Sequence, residues 1–397
     1  MLLALTILLI LLAEPIFYSY LSLNNIEVES GMMKYEFIGI FVLSMYQLVC
    51  FLIKDKLTGS NKRVISFTVL MGLLYASTGA FKYERNDLYW SEFLRWGSIC
   101  ISAVIVGIRL GYSRDFKYIN RLLPFFTITL TIVIAMVYKR FFDSMKTGII
   151  HDESGLMYHN ISYYMAYLFG LNLYWQFFVR KHVSFIGSVF NLGIFLSMLL
   201  EVIVCLMSGG RGGAVLLYVY AVLASYFLFR MNGKRLLLMI VGFIVFYYIV
   251  SYFADYFNIW DSAGFNRIKN LTEHDNRSYV YIPAMNLIRE TQAMGLGLGG
   301  VFYGLGFYSH NIILDLLIEI GFWGTVVFVI YMLRLFNKLH KLCRYNSSYN
   351  FLVIVLLYFI VMHMFSGYWF VNQGFWFVSS VVFSIRYQQK QRSRIIS

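Results

Sequence analysis

The sequence predicts an all-α integral membrane protein of about 12 transmembrane helices, and three observations predict it. Of its 397 residues, 59% are hydrophobic and only 13% charged, with a mean hydropathy of +0.66. A water-soluble domain carries about 25% charged residues, and it could not hide this much apolar surface, whereas a bilayer removes the need for a polar exterior. The apolar residues also fall into runs of roughly 20, the length of a bilayer-crossing helix. Finally, Lys and Arg concentrate in alternate connections between these runs, as the orientation rule for membrane helices requires.

Taken in order, the runs are 2–20, 35–53, 64–81, 96–113, 122–138, 161–179, 183–206, 214–229, 236–254, 311–332, 350–367 and 375–387, the last short for a full crossing. Run 2–20 lacks a basic leader and an A-x-A cleavage site, so it reads as a retained helix rather than a signal peptide. With only 3 Pro in the chain, long uninterrupted helices are allowed. The connections 54–63, 114–121, 180–182, 230–235 and 334–344 and the tail from 386 hold 20 of the 33 basic residues, with Asp55 and Asp115 as their only acids. These connections are therefore assigned to the cytoplasm, along with both termini. Arg109 lies near a helix end, where it can snorkel. The whole chain, 1–397, reads as one polytopic domain, with 255–310 as a large, partly helical external loop. Long structured loops usually carry function.

The net charge of +13 is spread over short loops instead of forming a basic patch, which argues against nucleic acid as a partner. Cys50, Cys100, Cys205 and Cys343 lie in or beside apolar runs without metal-ligand spacing, so they read as packing residues and no metal site is indicated. The 19% aromatic content suits a protein with two membrane interfaces and a wet interior cleft.

Three external clusters could carry chemistry. The first is Ser208-Gly209-Gly210-Arg211-Gly212-Gly213, where a helix begins and runs inward. Glycines let backbone N–H groups approach a ligand, and an arginine beside a helix N-terminus is a natural seat for phosphate. A tight turn between helices explains the same glycines. The second is the loop set Arg267, Lys269, Arg277 and Arg289, in which 277–290 has apolar residues compatible with an amphipathic helix. For Arg267 and Lys269 individually, a solvated, charged loop is the favoured reading. The third is Tyr308-Ser309-His310-Asn311, ahead of the tenth run. There Ser309 or Asn311 can cap the helix, and Asn311, Asp315 and Glu319 form a polar stripe of a kind that faces a protein interior or a wet cavity. His310 at the head of that stripe has the side chain best suited to deprotonating a hydroxyl, although a lone His is usually structural. His151, His159 and His274 sit in loop sequence without that context, and His363 lies inside a run. Glu201, about two turns before Arg211, can pair with an arginine, line a cleft or serve structure alone.

In this order and topology the clusters resemble the O-antigen polymerase and O-antigen ligase superfamily. The resemblance rests on Ser208–Gly213, on Arg277 with Gly295-Leu296-Gly297-Leu298-Gly299, and on His310-Asn311-Ile312-Ile313-Leu314 followed by Glu319-Ile320-Gly321-Phe322-Trp323-Gly324. It is clearest over residues 200–330. Gly210 departs from the Ser-x-Ser-Arg form of the family's first motif. The resemblance implies a GT-C-like bundle in the bacterial inner membrane and a glycosyltransferase acting on undecaprenyl-pyrophosphate-linked oligosaccharide as donor and acceptor, with no cofactor. It implies His310 as base and Arg211, Arg277, Gly209 and Gly210 around the pyrophosphate. Arg289, Asn311, Asp315, Glu319 and Glu201 would support the cleft, and a chain-length regulator is an implied partner. Polymerase is favoured over ligase on the resemblance alone. A transporter or flippase of lipid-linked sugars is the rival from another class; it would show charged pairs at mid-membrane and an internal repeat, and no repeat is evident.

Overall fold

A computed structural model describes residues 1–24, 26, 32–54, 59–82, 85–147, 158–179, 185–229, 248, 252, 255 and 278–385. Run 236–254 apart from 248 and 252, and residues 256–277 with Arg267, Lys269 and Arg277, lie outside them. All regular elements among the described residues are helical. They are α1 (Leu2–Leu11), α2 (Ala13–Leu23), α3 (Met32–Lys54), α4 (Gly59–Ala80), α5 (Asp87–Arg95), α6 (Ile101–Ser113), α7 (Lys117–Thr147), α8 (Tyr158–Tyr174), α9 (Phe185–Met207) and α10 (Arg211–Phe229). After the gap come α11 (Ser278–Glu290), α12 (Gly300–Leu305), α13 (Ile312–Tyr345), α14 (Asn350–Phe365) and α15 (Gln373–Ser384). A π-helical turn, Trp96–Cys100, joins α5 to α6 as one 27-residue span.

Among the described residues seven spans are long and apolar enough to cross a bilayer, and the α1–α2 pair makes eight if it counts as one. The remaining expected crossings have separate explanations. α8 carries Tyr, Asn and Ser throughout its length and is buried along nearly all of it. Packed among α7, α9, α10 and α14, it has no lipid to satisfy and hence no need of an apolar surface. α10 is apolar over the shorter stretch Arg211–Ala224. α15 has 12 residues, about 18 Å of helix, too short for a hydrocarbon core of about 30 Å.

α15 lies inside the bundle against α6. Gly107 and Gly111, four apart, make that approach possible: a Cβ on Gly107 would stand 2.9 Å from the Phe377 carbonyl oxygen, and one on Gly111 2.8 Å from that of Val381. Without a hydrophobic drive between helices in lipid, such close backbone contact is what holds them together. Two crossings depart from a straight rod. The N-terminal pair bends by 70° at Leu12, and α13 breaks at Gly321, whose φ of 68° and ψ of −174° no helix accommodates.

Candidate functional site

The break at Gly321 leaves the carbonyls at the end of Ile312–Ile320 without intrahelical partners. The glycine-rich stretch after α11 supplies them. Leu296 N–H donates to the Ile318 oxygen and Gly297 N–H to that of Glu319, both at 2.8 Å, while Phe322 N–H donates back to Ala293. Gly295 (φ 87°) and Gly297 (φ 91°) hold backbone conformations that favour glycine. A Cβ at Gly295 would lie 2.6 Å from the Glu319 carbonyl, and one at Gly321 2.5 Å from that of Ala293. The two glycine segments thus interlock.

The polar stripe on this half-helix binds backbone and, at Glu319, two side chains as well. Asn311 caps it, accepting from Ile313 N–H at 2.9 Å and Leu314 N–H at 3.4 Å. Asp315 accepts from Ser309 N–H at 2.8 Å. The Glu319 carboxylate, 1% exposed, accepts from Gly299 N–H (2.8 Å), Tyr368 O–H (2.7 Å) and Trp369 Nε1–H (3.1 Å). Asn311 and Asp315 therefore fix the loop carrying His310, while Glu319 ties the glycine loop to the 366–372 connection. His310 itself has a φ of 57°, an uncommon backbone state for a residue with a side chain, and its ring meets that of Tyr308 edge-on at 4.7 Å. Burial and the nearby Glu92 carboxylate push the Tyr308 phenol above its usual pKa.

The Ser208–Gly213 junction is built differently. Ser162 on α8 donates to the Gly210 oxygen at 2.8 Å and to the Cys205 oxygen at 3.2 Å. The space of a Cβ at Gly210 is filled by Ser162 and by the His159 backbone, that of Gly212 by Tyr163, and that of Gly213 by Ser162. Gly209 N–H is directed at Leu206. These glycines let α10 cross α8 closely; Arg211 stands at the first position of α10, where N–H groups are unsatisfied within the helix. Glu201 pairs with no arginine among the described residues. Fully buried, it accepts from Thr131 and, at 2.7 Å, from Asn172. Arg289, at the end of α11, is exposed.

A polar cleft of about 320 Å³ lies between these structures. It is lined by Glu14 and Tyr18 of α2, Arg95 of α5, His159 and Tyr164 of α8, Tyr308, and residues of the 362–373 stretch including His363. Every lining segment falls at or near an end that the Lys and Arg distribution assigns to the outside. Tyr308 links the cleft to His310, and His159, abutting Gly210, links it to the Arg211 junction. Arg95 forms an ion pair with Glu14 and lies 3.8 Å from Glu92.

The sequence reading does not single out Glu14, Glu92 or Arg95. One available signal is Glu14 itself, a carboxylate within an apolar run, where charge is costly and normally partnered. Its partner is 81 residues away in sequence, and only the fold joins them. Among the described residues no three His, Cys, Asp or Glu side chains gather as they would around a metal ion.

No curated protein and no solved structure matches the chain. Residues 194–329, from the middle of α9 into α13, match the family model described as O-antigen ligase. That segment contains Glu201, Arg211, Arg277, Arg289, His310, Asp315 and Glu319, so the match supports the resemblance to the O-antigen polymerase and ligase superfamily on the stretch that carries its motifs.

Proposed function

We propose that the protein is a surface-polysaccharide polymerase, joining undecaprenyl-pyrophosphate-linked repeat units at the outer face of the inner membrane, with both termini cytoplasmic. The observation that carries this reading is that neighbours of both groups line one cleft: Tyr308, whose ring meets His310, and His159, whose backbone abuts Gly210 beside Arg211. His310 accepts the proton of an acceptor sugar hydroxyl, whose oxygen attacks the anomeric carbon of the donor. The bond from that carbon to the diphosphate oxygen breaks, and the electron pair leaves with the diphosphate. Arg211, the N-terminal N–H groups of α10 and Arg277 stabilise the departing charge. The match to an O-antigen ligase segment supports glycan transfer from a lipid carrier; the choice of a second lipid-linked repeat as acceptor, over lipid A core, is our reading.

A transporter would place charged pairs near the membrane midplane. Arg95 is eight residues from the outer start of α5, about 12 Å by helical rise, in the outer half of the bundle. The deciding test is the lipopolysaccharide ladder of a strain lacking the gene. Core bearing a single repeat unit is the expected result. Core without any repeat, with lipid-linked polymer accumulating, makes the protein a ligase, and an unchanged ladder overturns glycan transfer.

A further inference from the structure

We infer that the part of the cleft formed by Glu14, Arg95, Tyr308, His363 and Gln373 is a subsite for an uncharged, hydroxyl-rich sugar ring, separate from the diphosphate seat at Arg211. The inference rests on the glycan-transfer reading and names the substrate class that reading leaves open.

Charge is the first argument. Among the described residues Arg95 is the one arginine lining the cleft, and its guanidinium is already engaged by Glu14, with Glu92 at 3.8 Å. Two carboxylates against one guanidinium leave no surplus positive charge. A diphosphate or a uronic acid entering here would lose its hydration and find this guanidinium already paired. A neutral ring needs no such partner.

Hydrogen bonding is the second. His363 is 3% exposed and lines the cleft, yet neither ring nitrogen reaches a partner in hydrogen-bonding geometry, although the Ser366 and Gly367 backbone passes alongside. Buried polar atoms normally find partners. A sugar hydroxyl, which both donates and accepts, satisfies an imidazole of either tautomer. Tyr308, with an apolar ring and a polar tip, matches a sugar's two characters: a face of C–H bonds and a rim of hydroxyls. Size is the third. A volume of about 320 Å³ is at the lower end for ligand cavities, suited to about one or two rings of a longer glycan.

The test uses full-length protein in lipid nanodiscs and three probes: the repeat-unit oligosaccharide released from the producing strain's own surface glycan, trigalacturonate, and inorganic pyrophosphate. Binding is followed by intrinsic fluorescence. The oligosaccharide is expected to bind saturably, and Tyr308→Phe and Gln373→Ala each to weaken it about fivefold while leaving pyrophosphate binding unchanged. Arg211→Lys is expected to do the reverse. Glu14→Gln, by removing one carboxylate, is expected to raise affinity for trigalacturonate at least fivefold. Size-exclusion profiles identify variants that fail to fold, and Tyr308→Phe, lacking only a hydroxyl, keeps the test open if Glu14→Gln does. Oligosaccharide binding insensitive to Tyr308 and Gln373 overturns the subsite. So does pyrophosphate binding that falls with them, or a wild type that prefers trigalacturonate. Failure of the glycan-transfer reading is seen separately, as an unchanged ladder in the deletion strain.

Discussion

Residues 208–213 and 295–299 look alike on the page, each a glycine-rich stretch leading into a helix, but the fold draws on their glycines in different proportions, for packing in the first and for backbone path as well as packing in the second. At 208–213 the glycines are notches. Ser162 and Tyr163 of α8 occupy the room that side chains on Gly210, Gly212 and Gly213 would need, and the gain is close packing of two helices. At 295–299 the glycines are conformational as well as close-packed, with Thr78 beside Gly297 and Tyr89 beside Gly299. Positive φ values at Gly295, Gly297 and Gly299 turn successive N–H groups toward the open end of the first part of α13 and toward Glu319. A glycine pattern alone does not say whether the missing Cβ serves a neighbouring side chain or the backbone's own path. What separates the two is the partner, and partners are a property of the tertiary fold.

Four substitutions break or sharpen this contrast, each read by unfolding of the purified protein in mixed micelles. Glu319→Leu should have the largest effect, about 4 kcal/mol, because Gly299 N–H, Tyr368 O–H and Trp369 Nε1–H lose their acceptor together. A loss below about 1 kcal/mol would show that the glycine loop does not depend on that carboxylate. Gly213→Ala should follow at about 3 kcal/mol, since the new methyl would lie 2.5 Å from the Ser162 backbone carbon. A silent Gly213→Ala would remove the packing role and return these glycines to the ligand-cradle reading. Gly306→Ala isolates φ from packing. Its φ is 78° with open space around it, so about 1 kcal/mol is expected. His310→Asn should change stability by less than about 0.5 kcal/mol, as Asn tolerates the same positive φ, while abolishing polymer in the ladder. A His310→Asn strain with a normal ladder would rule out His310 as base.

Much of the third cluster was legible in the sequence, because Asn311, Asp315 and Glu319 are spaced four apart and a helix puts such residues on one side. Their partners were not legible. Asp315 reaches back six residues to Ser309, but Glu319 reaches Tyr368 and Trp369 across about fifty. The break at Gly321 was hidden for a related reason: 311–332 is uniformly apolar enough to read as one rod, and a single glycine does not announce a ψ of −174°. By length and hydropathy α3 and α4 stand as spans, whereas α8, whose polar residues pack against protein, and α15, which is short, do not pass on those measures alone. Arg277, on which part of the resemblance rests, lies outside the described residues.

That α8 is enclosed has a consequence for how the chain is made. A segment reading Tyr-His-Asn-Ile-Ser-Tyr-Tyr gains little by partitioning alone from the insertion machinery into lipid. Of the helices that enclose it, α9, α10 and α14 follow it in the chain, so it reaches the bilayer before most of its final surroundings exist. Its entry must be cooperative, with α7 as first companion and the later helices closing over it. Substitutions in α9 or α10 that slow their arrival would then lower the yield of inserted protein without touching the cleft.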